Sequence, residues 1–586
     1  HIGLRQGYTC MFQRYFQEEL NRLRDLGAEF SRHHPALAPM LSSSSADPDV
    51  ERLLEGVAFL TGMLREKLDD EFPEIVHELT NIIWPHYLRP TPASTIVAFT
   101  PKPMLKEPTS VPPGTSIASV PVEGTPCRFQ TCYQVDVHPL HLVHASWKQP
   151  SGKTGYIELV FELKGMQLSA WSPKNLRLFL QGEYYEATQL FFVLQRYVRR
   201  ILLEADGEKT CVLKANRLRP VGFDPSTAIL PYPAQSFPGY RLLQEYFMLP
   251  EKFLFLDLFG WDEWTRTTAG NRFSVRFELQ TPPFSPLRVN ADNFVLFATP
   301  AINVFSMEGE PIRLDHRQTQ YPVRAQASNP EHFQVYSIDK VVGIIQGTAE
   351  QRTYAPFDLF HPQPKNTPIY QVVRQPSPIH RGLSTSISVA YPPQSAPPRM
   401  ETLSLVLQCT NGALPENLQL GDISVPTADA PEFLDFTNIT LVKPGTHPPR
   451  RHNLLWRFLS HLSLNYLSLA RTENLKALLD LYLFPETRAQ KSYLANRKRL
   501  DGIEDVALDH VTMLVQGCMM RGLSIKLSLR QDHFAGMGDL FVFGSVMERF
   551  LGNYASMNTF TRLWVEETTS GEELLWPARV GDRPLL

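Results

Sequence analysis

The stretch FQTCYQVDV, Phe129 to Val137, alternates Phe129, Thr131, Tyr133, Val135 and Val137 with Gln130, Cys132, Gln134 and Asp136. A period of two puts the two sets on opposite faces of a half-buried antiparallel strand. The same period recurs at Ile157, Leu159, Phe161 and Leu163, and far downstream at Leu523, Ile525, Leu527 and Leu529. Turn signals such as Pro112-Pro113-Gly114 and Ser151-Gly152 separate such runs. Upstream of Pro92 the period changes. Phe12, Phe16, Leu20, Leu23, Leu26 and Phe30 recur every three or four residues up to a His33-His34-Pro35 stop, which predicts an amphipathic helix. Asp47-Pro48 then supplies an N-cap and a first-turn proline for a second helix striped by Val50, Leu53, Leu54, Val57, Leu60, Leu64 and Leu68. Pro73 opens a shorter helix that Pro85 and Pro90 close.

The two periods together predict an α+β, multidomain chain, and 586 residues hold about three or four domains. Residues 1–10 read as an extra segment, a tag or upstream sequence, ahead of an N-terminal helical unit over 11–90. A β-rich body over 91–300 follows, with a short helix opened by Pro238 and a strand after Pro250. Residues 301–445 read as a β-rich, proline-rich domain, and the basic linker KPGTHPPRRH (Lys443–His452) leads to a C-terminal α+β domain over 446–586. In that last domain a helix through Val546, Met547, Phe550 and Tyr554 precedes a closing strand near Thr559 to Val565.

Lys plus Arg total 57 against 60 for Asp plus Glu, a net charge of -3 that argues against a dedicated nucleic-acid binder. The 49 prolines and the low charged fraction, 20%, favour many short strands over long bundles. Six dispersed cysteines read as reduced thiols of a cytosolic protein, and neither a signal peptide nor an apolar run long enough to span a membrane is expected.

The short motifs do not assemble into chemistry. Gly152-Lys153-Thr154 ends like a phosphate-binding loop, but Trp147 stands where its first glycine is required. His77-Glu78 begins a zinc-protease pattern whose second histidine should fall at Asn81. Gly114-Thr115-Ser116-Ile117-Ala118 has a turn before a strand, whereas a nucleophile elbow needs a strand before a helix. His138, His141 and His144, with Cys127 and Cys132 nearby, are metal-like in type, but in a strand the middle imidazole faces away and Pro139 opposes a helix. Asp69-Asp70-Glu71 diverge around a helix end rather than forming an acid pair. The aromatic stretch Tyr240 to Trp264 suits a core, a protein interface or a carbohydrate platform. No catalytic, cofactor or metal residue is therefore assigned. The candidate partner-binding residues are the helical stripes: Phe12, Phe16, Leu20, Leu23, Phe30, Leu53, Val57, Leu60, Leu64 and Leu68.

Longer segments carry a resemblance. They are LNRLRDLGAEFSRHHPALA at Leu20, DPDVERLLEGVAFLTGMLREKLDDEFPEI at Asp47, WPHYLRPTPA at Trp84, FPGYRLLQEYF at Phe237, PEKFLFLDL at Pro250, TPAINVF at Thr299, LSHLSLNYLSL at Leu459 and FGSVMERFLGNYASMNTFTRL at Phe543. In this order and over nearly the whole chain from Met11, they resemble the TssF (VasA/ImpG) family of type VI secretion baseplate subunits. The resemblance implies a phage gp6-like wedge protein without catalytic residues. It further implies a second copy of the chain and one TssG as partners, recruitment of TssK and TssE, a VgrG spike with its Hcp tube, and docking on a membrane complex from the cytoplasmic side. The ten leading residues depart from the family, as does Ala298, where cysteine is common. The alternatives are a cytosolic carbohydrate-binding β-sandwich protein using the Tyr240 to Trp264 rings, and a baseplate subunit of another contractile injection particle.

Overall fold

In a computed structural model the structure describes residues 16–17, 19–24, 26, 48–69, 87, 89–150, 154–232, 237–267, 270–280, 288–347, 350–357, 367–376, 383–392, 400–446, 471–483, 490–515 and 518–581. The chain divides into two units, His1–Trp84 with Arg450–Leu462, and Pro85–Pro449 with Ser463–Leu586. In the first, residues 16–17, 19–24 and 26 are helical, and so is Pro48–Asp69, where the Asp47-Pro48 signal places a start.

The second unit is built mostly of antiparallel sheets, with helices packed at one side, so the architecture is α+β. Strand pairing runs across both positions, 300 and 445, at which the sequence suggests boundaries. One six-stranded sheet takes Val425–Pro426, Ser116–Val122, Thr125–Thr131, Ala298–Ile302, Ser94–Pro101 and Leu434–Asn438 in that order. Its Ser94–Pro101 strand is a nearly continuous buried run, paired on both sides by strands from distant sequence. The alternating Tyr156–Leu163 strand lies in a five-stranded sheet between Leu140–Lys148 and Arg272–Leu279.

Between Ile302 and Asn411 the chain leaves the six-stranded sheet and forms an eight-stranded one. Its end strands, Phe305–Glu308 and Tyr321–Val323, are rejoined by a Gly309–Ala325 bridge, with Glu310 N–H donating to Arg324 O at 2.9 Å and Gln326 N–H to Glu308 O at 2.9 Å. The sheet thus closes around a core that includes Leu314, Val341, Ile387, Leu403, Leu405 and Leu407. Closure removes edges that would otherwise invite pairing. At its neck, buried Asn303 and Asn411 bond each other: Asn303 Nδ2 donates to Asn411 Oδ1 at 2.9 Å, and Asn411 N–H donates to Asn303 Oδ1 at 2.7 Å.

The helices follow from burial rather than period. Tyr184–Arg196 lies inside the stretch expected to be β-rich, and its Leu190–Leu194 run is buried throughout, which erases the amphipathic signal. The helix expected through Val546, Met547, Phe550 and Tyr554 is Met537–Gly552, which stops short of Tyr554 and contains Gly538 and Gly544. Here they are contact points. A Cβ on Gly538 would overlap the Thr188 carbonyl, and one on Gly544 would come 2.6 Å from the Trp576 ring. Helix Pro238–Met248 and the strand Thr559–Glu567, which pairs in parallel with Cys518–Leu529, pack against Met537–Gly552, and Thr472–Asp480 is a further helix of this unit.

Gly538→Ala is expected to destabilise the chain by about 1–3 kcal/mol, the usual cost of overpacking, and thermal unfolding would show it as a lowered melting temperature. Acid stability has a specific contributor as well. Burial disfavours the Glu567 carboxylate, but N–H donors of Gln531 and Ser570 outweigh it and hold its pKa at about 2. A depressed folded pKa adds stability above the unfolded value that is lost as pH falls. Stability should therefore decline between about pH 5 and 2, and Glu567→Gln should flatten that part of the urea-midpoint profile.

Candidate assembly interface

Pro48–Asp69 carries apolar residues on two faces. At about 100° per residue, Leu54, Ala58, Thr61 and Gly62 share one side. Ala58 is fully buried, Gly62 is buried, and Leu54 and Thr61 are half-buried. Leu53, Gly56, Val57, Leu60 and Met63 lie on the other side and span an arc of roughly 120°, with Phe59 on its flank. That arc is open: Leu53 is 69% exposed, Leu60 61%, Met63 48%, Phe59 47% and Val57 38%. A Cβ placed on Gly56 meets nothing within 4 Å. A helix with one face already packed and an apolar arc of this width in water has a surface suited to burial against further helices.

The other candidate residues fall out as follows. Leu20 is buried, and Phe16 and Leu23 are half-buried. Leu64 and Leu68 lie on the helix backbone, but their side chains are outside the described residues, as are Phe12 and Phe30 altogether. Phe59 and Met63 were not anticipated, because a single stripe drawn through Leu53, Val57 and Leu60 leaves them on its flank. The signal that could have found them is the apolar content of both flanks of this helix.

Those of the remaining motifs that fall on described residues are structural. Tyr240, Tyr246, Phe253, Phe255, Trp261 and Trp264 are buried, with Trp261 packed edge-on to Trp171 at 5.0 Å and Trp261 Nε1 donating to Leu258 O at 2.9 Å. They form core and offer no platform to a sugar. His138 is buried beside Trp171, and burial lowers its pKa, while His144 is exposed. Among the described residues no three His, Cys, Asp or Glu side chains are grouped to hold a metal ion. Burial pushes the Cys127 thiol up to about 11 and Cys409 to about 12, so both are poor nucleophiles at neutral pH. Gly114 takes a positive φ in a turn, and Ser116–Val122 follows as a strand. Gly152-Lys153, His77-Glu78 and Asp70-Glu71 lie outside the described residues. No helix of the described residues is long and apolar enough to cross a membrane.

A model of the family "Type VI secretion system, TssF" matches residues 9–583. The chain belongs to this family. It is 31% identical to type VI secretion system component TssF1 of Pseudomonas aeruginosa PAO1, over 98% of this chain and 99% of that one. In structure it is similar to a chain of a TssK-TssF-TssG baseplate subcomplex of the type VI secretion system, with a TM-score of 0.77, 28% identity, and 92% and 99% of the two chains covered. It is also similar to a chain of the baseplate complex of that system, with a TM-score of 0.63, 25% identity, and 98% and 100% covered.

Segments that carry the TssF resemblance land in the core. FPGYRLLQEYF forms the Pro238–Met248 helix, and PEKFLFLDL brings Lys252 to its Glu245, an ion pair almost wholly shut from solvent. FGSVMERFLGNYASMNTFTRL supplies the buried end of Met537–Gly552 and the Thr559–Glu567 strand. Gly56 has open space, so Gly56→Ala should raise the melting temperature of the free TssF-family chain by the equivalent of about 0.5–1 kcal/mol; an unchanged or lowered value would show that the helix is closely approached there.

Proposed function

We propose that this chain is the TssF-type wedge subunit of a type VI secretion baseplate and acts by binding rather than by catalysis. Two copies assemble with one TssG-family chain, and the wedge recruits TssK- and TssE-family proteins around a VgrG spike and its Hcp tube, initiating the tail tube and sheath. The particle sits in the cytoplasm, docked on the inner membrane. Family membership and the likeness to baseplate chains support this reading.

The observation that carries the binding role is the open apolar arc of Pro48–Asp69. Each of its large side chains gains about 1.5–3 kcal/mol on full burial, before ordering costs are subtracted. A second copy and a TssG-family chain are the helices that bury it in this reading.

Co-expression with the TssG-family protein encoded beside it tests the proposal by light scattering across a size-exclusion peak. The expected mass is that of two copies of this chain and one partner. Leu53→Glu with Leu60→Glu, both exposed in the free chain, should leave its melting temperature nearly unchanged and abolish that complex. A doubly substituted chain that still assembles would remove this face from the interface, and a wild-type chain indifferent to the partner would overturn the wedge reading.

A further inference from the structure

Several buried or half-buried arginines in the second unit meet acids. Arg177 bonds Asp257 at 2.7 Å, Arg499 bonds Asp539 at 2.9 Å, and Arg579 bonds Glu548 at 2.7 Å. Arg89 and Arg374 do not. Arg89, half-buried ahead of the Ser94–Pro101 strand, holds its guanidinium carbon 5.9 Å from the centre of the Tyr336 ring. Arg374, on Ile369–Pro376 of the closed sheet, donates through Nη2 to Tyr336 O at 2.7 Å, while its Nε is shut from solvent with no hydrogen-bond partner. Burial first, and then the like charge of Arg89, bring the Arg374 pKa down to about 10. Among the described residues no carboxylate pairs with either guanidinium.

Two neighbouring cations, one with a covered and unpaired donor, are a costly arrangement for a folded chain to keep. The group that offsets them best is a carboxylate, whose two oxygens match the planar fork of a guanidinium. We propose that Arg89 and Arg374, gathered at Tyr336, form a receptor for the carboxylate of an acidic side chain on another chain of the assembled baseplate. Charge complementarity selects the ligand class, and the covered Arg374 Nε selects its source. A free anion must shed its water to reach a covered donor, whereas a side chain within a closing interface loses that water as the interface forms. The baseplate reading enters only in naming where the carboxylate comes from.

The probe is sodium glutarate against sodium chloride at equal ionic strength, read as melting temperature. The free wild-type chain should melt higher in glutarate, and Arg89→Gln should lose that increment; equal increments in both, or none in the wild type, would overturn the receptor. In the purified complex with TssG- and TssK-family partners the increment should vanish because the site is filled, and Arg89→Gln should weaken partner binding at least about tenfold. An increment that survives in the complex, with unweakened binding, would overturn the assignment to a partner side chain. The outcome of the Leu53 and Leu60 substitutions is read on assembly alone, so failure of the wedge reading leaves the glutarate response of the free chain to be judged separately.

Discussion

The carboxylate of Asp539 holds the helical side of the second unit together. It is fully buried, and it accepts from Tyr184 Oη at 3.0 Å, Arg499 Nε at 2.9 Å and Ala535 N–H at 3.0 Å. Those donors come from three segments far apart in sequence, so one charge ties the Tyr184–Arg196, Gln490–Asp501 and Met537–Gly552 helices to a common point. Its place in the first turn of Met537–Gly552 adds the favourable field of a helix N-terminus. Desolvation works against the Arg499 guanidinium, yet the surrounding Tyr246, Tyr184 and Asp539 raise its pKa. Losing either partner would leave the other charged and enclosed, a cost of about 3–5 kcal/mol. The close approach of Gly538 to Thr188, one residue from Asp539, is the steric counterpart of that charge.

Much of the fold was legible because half-buried strands print their pleat on the sequence. Tyr156–Leu163 and Cys518–Leu529 show it in alternating residues, and Pro238–Met248 begins where its proline says, whereas the run read as one strand from Phe129 to Val137 is two, Thr125–Thr131 and Val135–Val137, in different sheets. What could not be read is what burial on every side conceals. Leu190–Leu194 has no polar face to reveal a helix, and Gly538, Gly544 and Gly552 are small because the Thr188 backbone, the Trp576 ring and the Arg579 side chain occupy the space beside them. Closure of the eight-stranded sheet was equally hidden, since the pairing of Phe305–Glu308 with Glu401–Thr410 joins residues about a hundred apart by backbone bonds that no local pattern records.

The candidate interface was partly legible for the opposite reason. Leu53, Val57 and Leu60 stood out by their spacing, but spacing cannot say which apolar side of a helix its own fold covers. The structure answers that by burying Ala58 and leaving Leu53 open. Nor could the sequence bring Arg89 beside Arg374, because only the tertiary fold gathers both at Tyr336. Some stretches by which the family is recognised, such as Phe237–Phe247 and Phe543–Leu563, are packing, whereas another, from Asp47 to Ile75, contains the open apolar arc of Pro48–Asp69.

The neck at Asn303 and Asn411 bears on the order in which the chain can fold. These residues are 108 apart in sequence, and the six-stranded sheet needs strands from both sides of that gap. Closing so long a flexible loop carries an entropic penalty that grows with the logarithm of its length. Once the eight-stranded sheet has formed, its two ends already lie side by side, and the loop is in effect only a few residues long. The Leu434–Asn438 strand is then delivered to Ser94–Pro101 at the entropic cost of a short loop, so the inserted sheet lowers the penalty for closing the body that carries it.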